Sequence, residues 1–244
     1  MKCEGKTIVV TGASRGLGKA LAHRYAAEGA RVAICARNDA LLREVESSLT
    51  KDGTEVFAQA CDISDSNQVQ DFTQGLLERF GTVDGLVNNA AILGSRVPLV
   101  EQKIHEWDEV VQTNLHGTFF MTKALLPTMI KKGSGFIINV SSTVGKSGRK
   151  DWGAYAVTKF GLEGFTQVLA EEVKKFNIRV NAVNPGPLAT ELRRLAYPQE
   201  DQSILRKPDQ ITDTFMYLSS NDGIGISGQS IDAASFVSNP GMLS

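Results

Sequence analysis

Tyr155 and Lys159 stand four residues apart, and Ser142 precedes the tyrosine by thirteen. Four residues is about one helical turn, so a helix through Tyr155 stacks a phenol and an ammonium on one face. A phenol with a pKa of about 10 exchanges protons poorly near neutrality, and a neighbouring cation favours its ionised form. The pair therefore suits general acid–base chemistry. Ser142 follows the apolar run Phe136-Ile-Ile-Asn-Val140 and falls just beyond a buried strand. There it can hydrogen-bond a substrate oxygen that Tyr155 would protonate. Alone, the Tyr-x-x-x-Lys spacing describes a surface pair on a helix equally well.

The elements that must position these residues are visible as alternating patterns. Strand-like runs occur at Thr7–Val10, Arg31–Cys35, Glu55–Ala60, Gly85–Val87, Phe136–Val140, Arg179–Val183 and Ser230–Ile231. Helix-length segments separate them: Leu17–Ala27, Ala40–Leu49, Asn67–Phe80, a long stretch from about Lys103 to Ile130, Tyr155–Phe176 and Asp209–Ser219. Such alternation predicts a single α/β domain over residues 1–244, a doubly wound, seven-stranded parallel sheet of the Rossmann type with helices on both faces. After the first strand comes Thr11-Gly12-Ala-Ser-Arg-Gly16-Leu-Gly18, and a helix follows. Strand, glycine turn and helix start together make a phosphate cradle, because backbone amides and the positive helix end attract a pyrophosphate.

Composition excludes other classes. The 26 basic and 27 acidic residues leave a net charge of −1, with no electrostatic footprint for nucleic acid. No run of 18 apolar residues suggests a membrane span, and the start, Met1-Lys-Cys-Glu-Gly-Lys6, has no apolar leader, which predicts a cytoplasmic protein. Cys3, Cys35 and Cys61 lack metal-ligand spacing and read as buried small hydrophobes, so no metal is expected. Cys35 and Cys61 end neighbouring strands, where oxidation would disturb the adjoining site.

Taken together, Thr11-Gly-x-x-x-Gly-x-Gly18, Asn88-Asn-Ala90, Asn114, Ser142, Tyr155-x-x-x-Lys159 and Pro185-Gly186 resemble, in order and spacing, the short-chain dehydrogenase/reductase family over about residues 5 to 232. The resemblance implies hydride transfer between a nicotinamide and a carbonyl carbon. It casts Ser142 as holding the carbonyl oxygen, Tyr155 as the proton donor, Lys159 as lowering the tyrosine pKa and binding the ribose, and Asn114 as supporting a proton relay behind the lysine. Asn114 otherwise reads as a polar residue on an exposed helix face. Ser141 is the competing serine, but the thirteen-residue interval favours Ser142. His23, His105 and His116 lie outside the family's site.

Cofactor contacts implied by the resemblance are Gly12, Ser14, Arg15, Gly16, Leu17, Gly18, Arg37, Asp62, Ile63, Asn88, Ala90, Tyr155, Lys159, Pro185, Gly186, Leu188 and Thr190. Arg37 follows the second strand, which has no carboxylate at its tip, and Arg15 supplies a second cation. Guanidinium groups there can hold a 2′-phosphate, so the resemblance implies NADP(H) rather than NAD(H). Asp62 is cast against the adenine, or as a cap of the next helix, for which Ser64 serves equally. Asn88 can also brace the central sheet. Ala91 replaces the glycine usual at that position, and Gly228-Gln-Ser-Ile-Asp-Ala-Ala-Ser235 lacks the family's double glycine.

The segment at about 187–208, with prolines at 187, 198 and 208, breaks the alternation and resembles the family's substrate lid, a short helix within a loop. Asp151 is placed to cap the helix through Tyr155, and Trp152 to wall the pocket or pack in the core. Overall pattern most resembles reductases of the 3-oxoacyl thioester type, while sugar, polyol and other small-carbonyl dehydrogenases share the frame. Arg149, Lys150, Arg193, Arg194 and Arg206 near the expected mouth suit an acidic carrier or coenzyme phosphates, or a solvated surface. Helices around Thr113–Ile130 and Ala156–Phe176 resemble those that form four-helix dimer contacts in the family, so the resemblance implies a homotetramer or homodimer. A non-catalytic NADP(H)-sensing regulator or a structural subunit could use the same fold. Retention of Ser142, Tyr155 and Lys159 argues for the enzyme.

Overall fold

The computed structural model describes residues 1–238; the last six residues of the expected domain, 239–244, lie outside the described residues. Seven strands, β1 (Thr7–Thr11), β2 (Arg31–Ala36), β3 (Val56–Ala60), β4 (Gly85–Asn88), β5 (Gly135–Val140), β6 (Ile178–Asn184) and β7 (Ser230–Asp232), form one sheet. Their order is β3-β2-β1-β4-β5-β6-β7, and every pairing is parallel. The winding reverses between β1 and β4, which opens a crevice beyond their carboxyl ends.

Each central strand buries both faces, as a sheet covered twice must. Ile8, Val10, Val32, Ile34 and Ile138 pack with α1 (Gly16–Ala27), α2 (Asp39–Lys51) and residues later in the chain such as Phe215. Val9, Ala33, Cys35 and Ile137 face α3 (Ser66–Phe80) and the helices that follow β4. All three cysteines are free and buried as expected. Cys35 and Cys61 share a hydrogen bond that, with burial, holds the Cys35 thiol well above its ordinary pKa and keeps it a packing group.

The helices differ from the sequence expectation where tertiary contacts intervene. The stretch after Lys103 is not one helix: α4 (Ile104–Val111) passes through a wide π turn at Gln112–His116 into α5 (Gly117–Lys132). The wide turn carries Asn114 into the interior. The tyrosine helix, α6 (Gly153–Val173), begins two residues earlier than expected and ends in a 3-10 turn at Lys174–Phe176. In the segment 187–208, expected to resemble a lid, α7 (Glu191–Ala196) is followed by a return to β6's end, where Leu188 bridges Arg206. Before β7 comes α8 (Thr212–Ser219), preceded by a 3-10 turn at Pro208–Ile211 that displaces its expected start. A last helix, α9 (Ala233–Ser238), had no counterpart in the sequence reading.

Two caps also differ. The side chain of Asp65, rather than Asp62 or Ser64, caps α3 by accepting from the amides of Asn67 and Gln68. Asp62 is turned instead to the Ser64 amide and hydroxyl, at 3.0 and 2.7 Å. Asp151 does not cap α6: the cap position is Trp152, without a side-chain bond, and Asp151 sits at a φ of 65°.

Candidate active site

The glycine turn and α1 form one end of a cleft of about 1070 Å³ along the carboxyl edge of the sheet. Gly12 has a φ of 65°, and a Cβ there would come within 2.8 Å of the Ala90 Cα. Only glycine lets these two backbones approach so closely. Helix α1 has no side-chain cap at Arg15, so its first-turn amides are left for another acceptor. By contrast, α2 is capped by Asn38, whose side chain accepts from the Leu41 amide at 3.0 Å. An open, positive helix end beside a glycine turn fits the pyrophosphate of a dinucleotide.

Most of the expected residues do line this cleft: Gly12, Ser14, Arg15, Gly16, Leu17, Arg37, Asp62, Ile63, Ala90, Ser142, Tyr155, Lys159, Pro185, Gly186, Leu188 and Thr190. Three do not. Gly18 lies behind the turn, where a Cβ would meet the Gly12 carbonyl oxygen at 2.3 Å. Its smallness lets α1 dock on the turn, so it shapes the cradle without lining it. Asn88 turns into the sheet and donates to Asn139 Oδ1 at 2.9 Å and Thr122 Oγ1 at 3.2 Å, the bracing role.

Asn114 is the third. It is 1% exposed, which overturns the surface reading. Its Oδ1 accepts from the Ile92 amide at 2.8 Å, and its Nδ2 donates to the Ile92 carbonyl at 2.9 Å and Thr158 Oγ1 at 3.2 Å. The asparagine thereby pins the chain after β4 to α6, close behind the tyrosine and lysine.

The reacting pair is buried. Tyr155 and Lys159 are 7% and 2% exposed. The Lys159 Nζ donates to the Val140 carbonyl at 2.7 Å and lies 5.5 Å from the centre of the Tyr155 ring. Burial pushes the Tyr155 hydroxyl up to about 12, opposed by the neighbouring Ser142 hydroxyl. In this arrangement burial, not Lys159, sets the tyrosine's pKa, and the lysine's own hydrogen bond is to the end of β5. Burial in turn draws Lys159 down to about 8, and the nearby Glu163 carboxylate resists that fall. Glu163 is itself buried and accepts a short hydrogen bond from Ser141. Ser141 is thus occupied on the far side, while Ser142 faces the cleft with Oγ 3.4 Å from the Val144 amide.

His105 and His116 are exposed and, with His23, lie away from the cleft. Among the described residues, no group of three or more His, Cys, Asp or Glu is placed to hold a metal ion. No helix among them is long and apolar enough to cross a membrane.

Several cleft residues escaped the sequence reading. Asn38 and Leu41 extend the end near Arg37. Leu93 and Arg96 do the same at the tyrosine end, alongside Leu192 and Tyr197 of the 187–208 segment; Trp152 is both of the things expected of it, pocket wall and core, being 6% exposed and in one apolar cluster with Tyr155. Arg96 lies in a loop without periodicity, so no local pattern marked it. Its signal is a basic residue six positions after the Asn88-Asn89-Ala90 turn.

Comparison with known proteins agrees with this arrangement. Residues 6–201 match the short chain dehydrogenase family. The uncharacterized oxidoreductase YciK of Escherichia coli is 38% identical over 93% of this chain and 91% of its own. The 3-oxoacyl-[acyl-carrier-protein] reductase FabG of Thermotoga maritima is 35% identical over 95% of this chain and 97% of its own. A short chain dehydrogenase of Shigella flexneri, solved in complex with NADP, superimposes with a TM-score of 0.92 at 37% identity, covering 96% of this chain and 98% of that one. A family match across most of the sequence, with relatives similar from end to end, means that the chain belongs to the short-chain dehydrogenase/reductase family of oxidoreductases.

Proposed function

We propose that the protein is an NADPH-dependent carbonyl reductase in which Tyr155 donates the proton. The observation that carries this reading is the convergence of Ser142, Tyr155 and Lys159 on one wall of a cleft that ends in the open glycine turn. When bound, the nicotinamide supplies a hydride to the carbonyl carbon. Ser142 orients the carbonyl oxygen, and Tyr155 protonates it as charge develops there. A phenol held at about 12 stays protonated at neutral pH, so the site is prepared to give a proton in the reductive direction. Lys159 holds its charge beside the tyrosine and presents it to the ribose, while Asn114 fixes the backbone on which both depend.

At the other end, Arg15 and Arg37 form no ion pair among the described residues and line the cleft, which supports recognition of a 2′-phosphate. The segment 187–208 acts as a lid, since its Leu192, Ala196 and Tyr197 pack on the apolar cluster around Tyr155. Similarity to FabG makes 3-oxoacyl thioesters the first substrates to examine, with sugars and other small carbonyls beside them. The outer faces of α5 and α6 expose Phe119, Val157, Phe160 and Val168 by 45–60%, a physical motive for a homodimer or homotetramer.

Four outcomes are expected. Tyr155→Phe should bind NADPH as the wild type does yet lose roughly 100-fold or more in turnover; near-normal reduction by that variant would remove the assigned donor. The dissociation constant for NADPH should lie roughly tenfold or more below that for NADH, and Arg37→Gln should narrow the gap; tighter NADH binding by the wild type would reverse the cofactor assignment.

The third concerns pH. Folded Lys159 gives up its proton near 8, whereas in the unfolded chain it keeps it to 10.5. The unfolded chain binds more protons across that window, so stability rises with pH there. Relative to Lys159→Met, the wild type should gain about 2 to 3 kcal/mol between pH 7 and pH 10.5 in denaturant titrations. A flat difference would mean the ammonium is not desolvated. Finally, light scattering at micromolar concentration should give a dimer or tetramer that Phe160→Asp weakens. A monomeric wild type would leave those apolar faces without the assigned role.

A further inference from the structure

Arg96 stands at the tyrosine end of the cleft in an environment built for a cation but lacking its counterion. Its guanidinium carbon lies 4.7 Å from the Trp152 ring centre and 4.8 Å from that of Tyr197, so aromatic rings meet it from two elements. One amino group, Nη1, donates a short hydrogen bond to the Ala196 carbonyl. Nε is buried without an acceptor, and among the described residues neither Nε nor Nη2 has a hydrogen-bond partner and no carboxylate pairs with the side chain. Nε is closed to solvent, so Nη2 is the donor left open to a ligand oxygen, and a guanidinium amino group favours an anionic one.

The surroundings point the same way. Trp152, which also lines the cleft, has its Nε1 buried and closed to a ligand, so what it presents to Arg96 is a ring face. Its ring lies 5.7 Å from that of Tyr155, so Arg96 is one ring removed from the tyrosine. The other charges at this end are largely committed. Arg193 makes a paired bridge to Glu200, with both distances 2.5 Å, and Glu191 is bonded to Arg194 at 2.8 Å. Arg149 donates to the Tyr197 hydroxyl at 2.8 Å, which turns its charge toward the lid.

We propose that Arg96 is a substrate-binding residue that holds a carboxylate, and that the preferred substrates are short oxo acids whose carbonyl reaches Ser142 and Tyr155 while the acid group lies on Arg96. This rests on the reductase reading and narrows it, because a neutral 3-oxoacyl thioester offers the guanidinium a carbonyl oxygen but no charge. The rival role for Arg96 is a latch, since the Ala196 carbonyl and the Tyr197 ring both belong to the lid segment. A latch holds every substrate alike, whereas an anion site distinguishes an acid from its ester.

The test compares pyruvate, acetoacetate and 4-oxopentanoate with their methyl esters, using wild type, Arg96→Gln and Arg96→Lys with NADPH. The wild type should favour at least one acid over its ester in kcat/KM, and Arg96→Gln should reduce that acid-to-ester ratio by roughly 10- to 100-fold. Arg96→Lys, which keeps the charge without the planar fork, should give an intermediate ratio. Equal use of acid and ester by the wild type, or a loss in Arg96→Gln that is the same for both, would overturn the proposal and leave the latch.

Binding provides a readout independent of turnover. Calorimetric titration of the same acids into the enzyme saturated with NADP⁺ should show affinity in the wild type that Arg96→Gln loses, with thermal melting used to confirm that the variant folds. Acid binding without reduction of any carbonyl would sink the reductase reading and uphold the anion site. Ester reduction that requires Tyr155, without acid binding, would do the reverse.

Discussion

The cleft depends on a clasp between Thr11 and Asn89 where the sheet changes direction. Thr11 Oγ1 accepts the amides of Asn89 and Ala90, both at 3.0 Å, and Asn89 Nδ2 returns bonds to the carbonyls of Thr11 and Gly12 at 2.9 and 3.2 Å. These are the ends of β1 and β4, the neighbours between which the winding reverses. Without the clasp, two strand ends with unpaired backbone groups would face each other at the mouth of the crevice, an arrangement that water or disorder would resolve. With it, Gly12 is pressed against Ala90, Gly18 fits behind the turn, and α1 begins where its free amides face the cleft. The phosphate cradle is thus a consequence of how two central strands are tied.

A second layer of polar bonds carries this order to the reacting end. Asn88 links β4 to Asn139 on β5, and Asn139 Nδ2 reaches Thr166 Oγ1 on α6 at 2.9 Å. Asn114 joins Ile92 to Thr158, whose hydroxyl also bonds the Tyr155 carbonyl at 2.8 Å. Every side chain in this chain of contacts is buried, so each lost bond would strand a partner at a cost of about 1–3 kcal/mol. The cost of error makes the network specific: α6 has one seating, and Tyr155 and Lys159 face the cleft from it. Their burial then decides their chemistry, raising the phenol and lowering the amine against the preferences of each in water.

The sequence disclosed what depends on backbone and periodicity. Alternating apolar runs gave all seven strands, because a sheet buried on both faces leaves few polar residues in its strands. The glycine turn was legible since close backbone contact permits no other residue, and the Tyr155–Lys159 pair since a helical turn is fixed in length. Other features depend on contacts that no spacing encodes. Gly18 and Asn88 belong to the motifs but face away from the cleft, a difference of orientation rather than position. The break at Gln112–His116 is compatible with an apolar helix pattern and arises where Asn114 finds its partners on Ile92 and Thr158. Asp65 displaced Asp62 and Ser64 as the cap of α3 because the chain leaves β3 through a turn before the helix begins. Glu163 stands one helical turn after Lys159, a neighbour that spacing fixes, but only the fold brings it to Ser141.

The two ends of the cleft are therefore made of different material. Near α1 the binding groups are mostly backbone amides and glycines, which tolerate change around them poorly and fit a ligand of fixed shape. Near Tyr155 the walls are side chains: Leu93 and Arg96 from the loop after β4, Trp152 from the start of α6, Leu192 and Tyr197 from the 187–208 segment. A loop side chain can be exchanged without disturbing the sheet, so this end is free to differ where the turn is not. Arg96 illustrates the constraint that remains. A cation between two rings gains attraction from their faces but is removed from water in doing so. With one amino group satisfied by a carbonyl and no carboxylate beside it, its open donor favours an anionic oxygen over an apolar surface. The same fold can thus keep one end of its cleft constant for a dinucleotide and give the other a charge preference through a single residue.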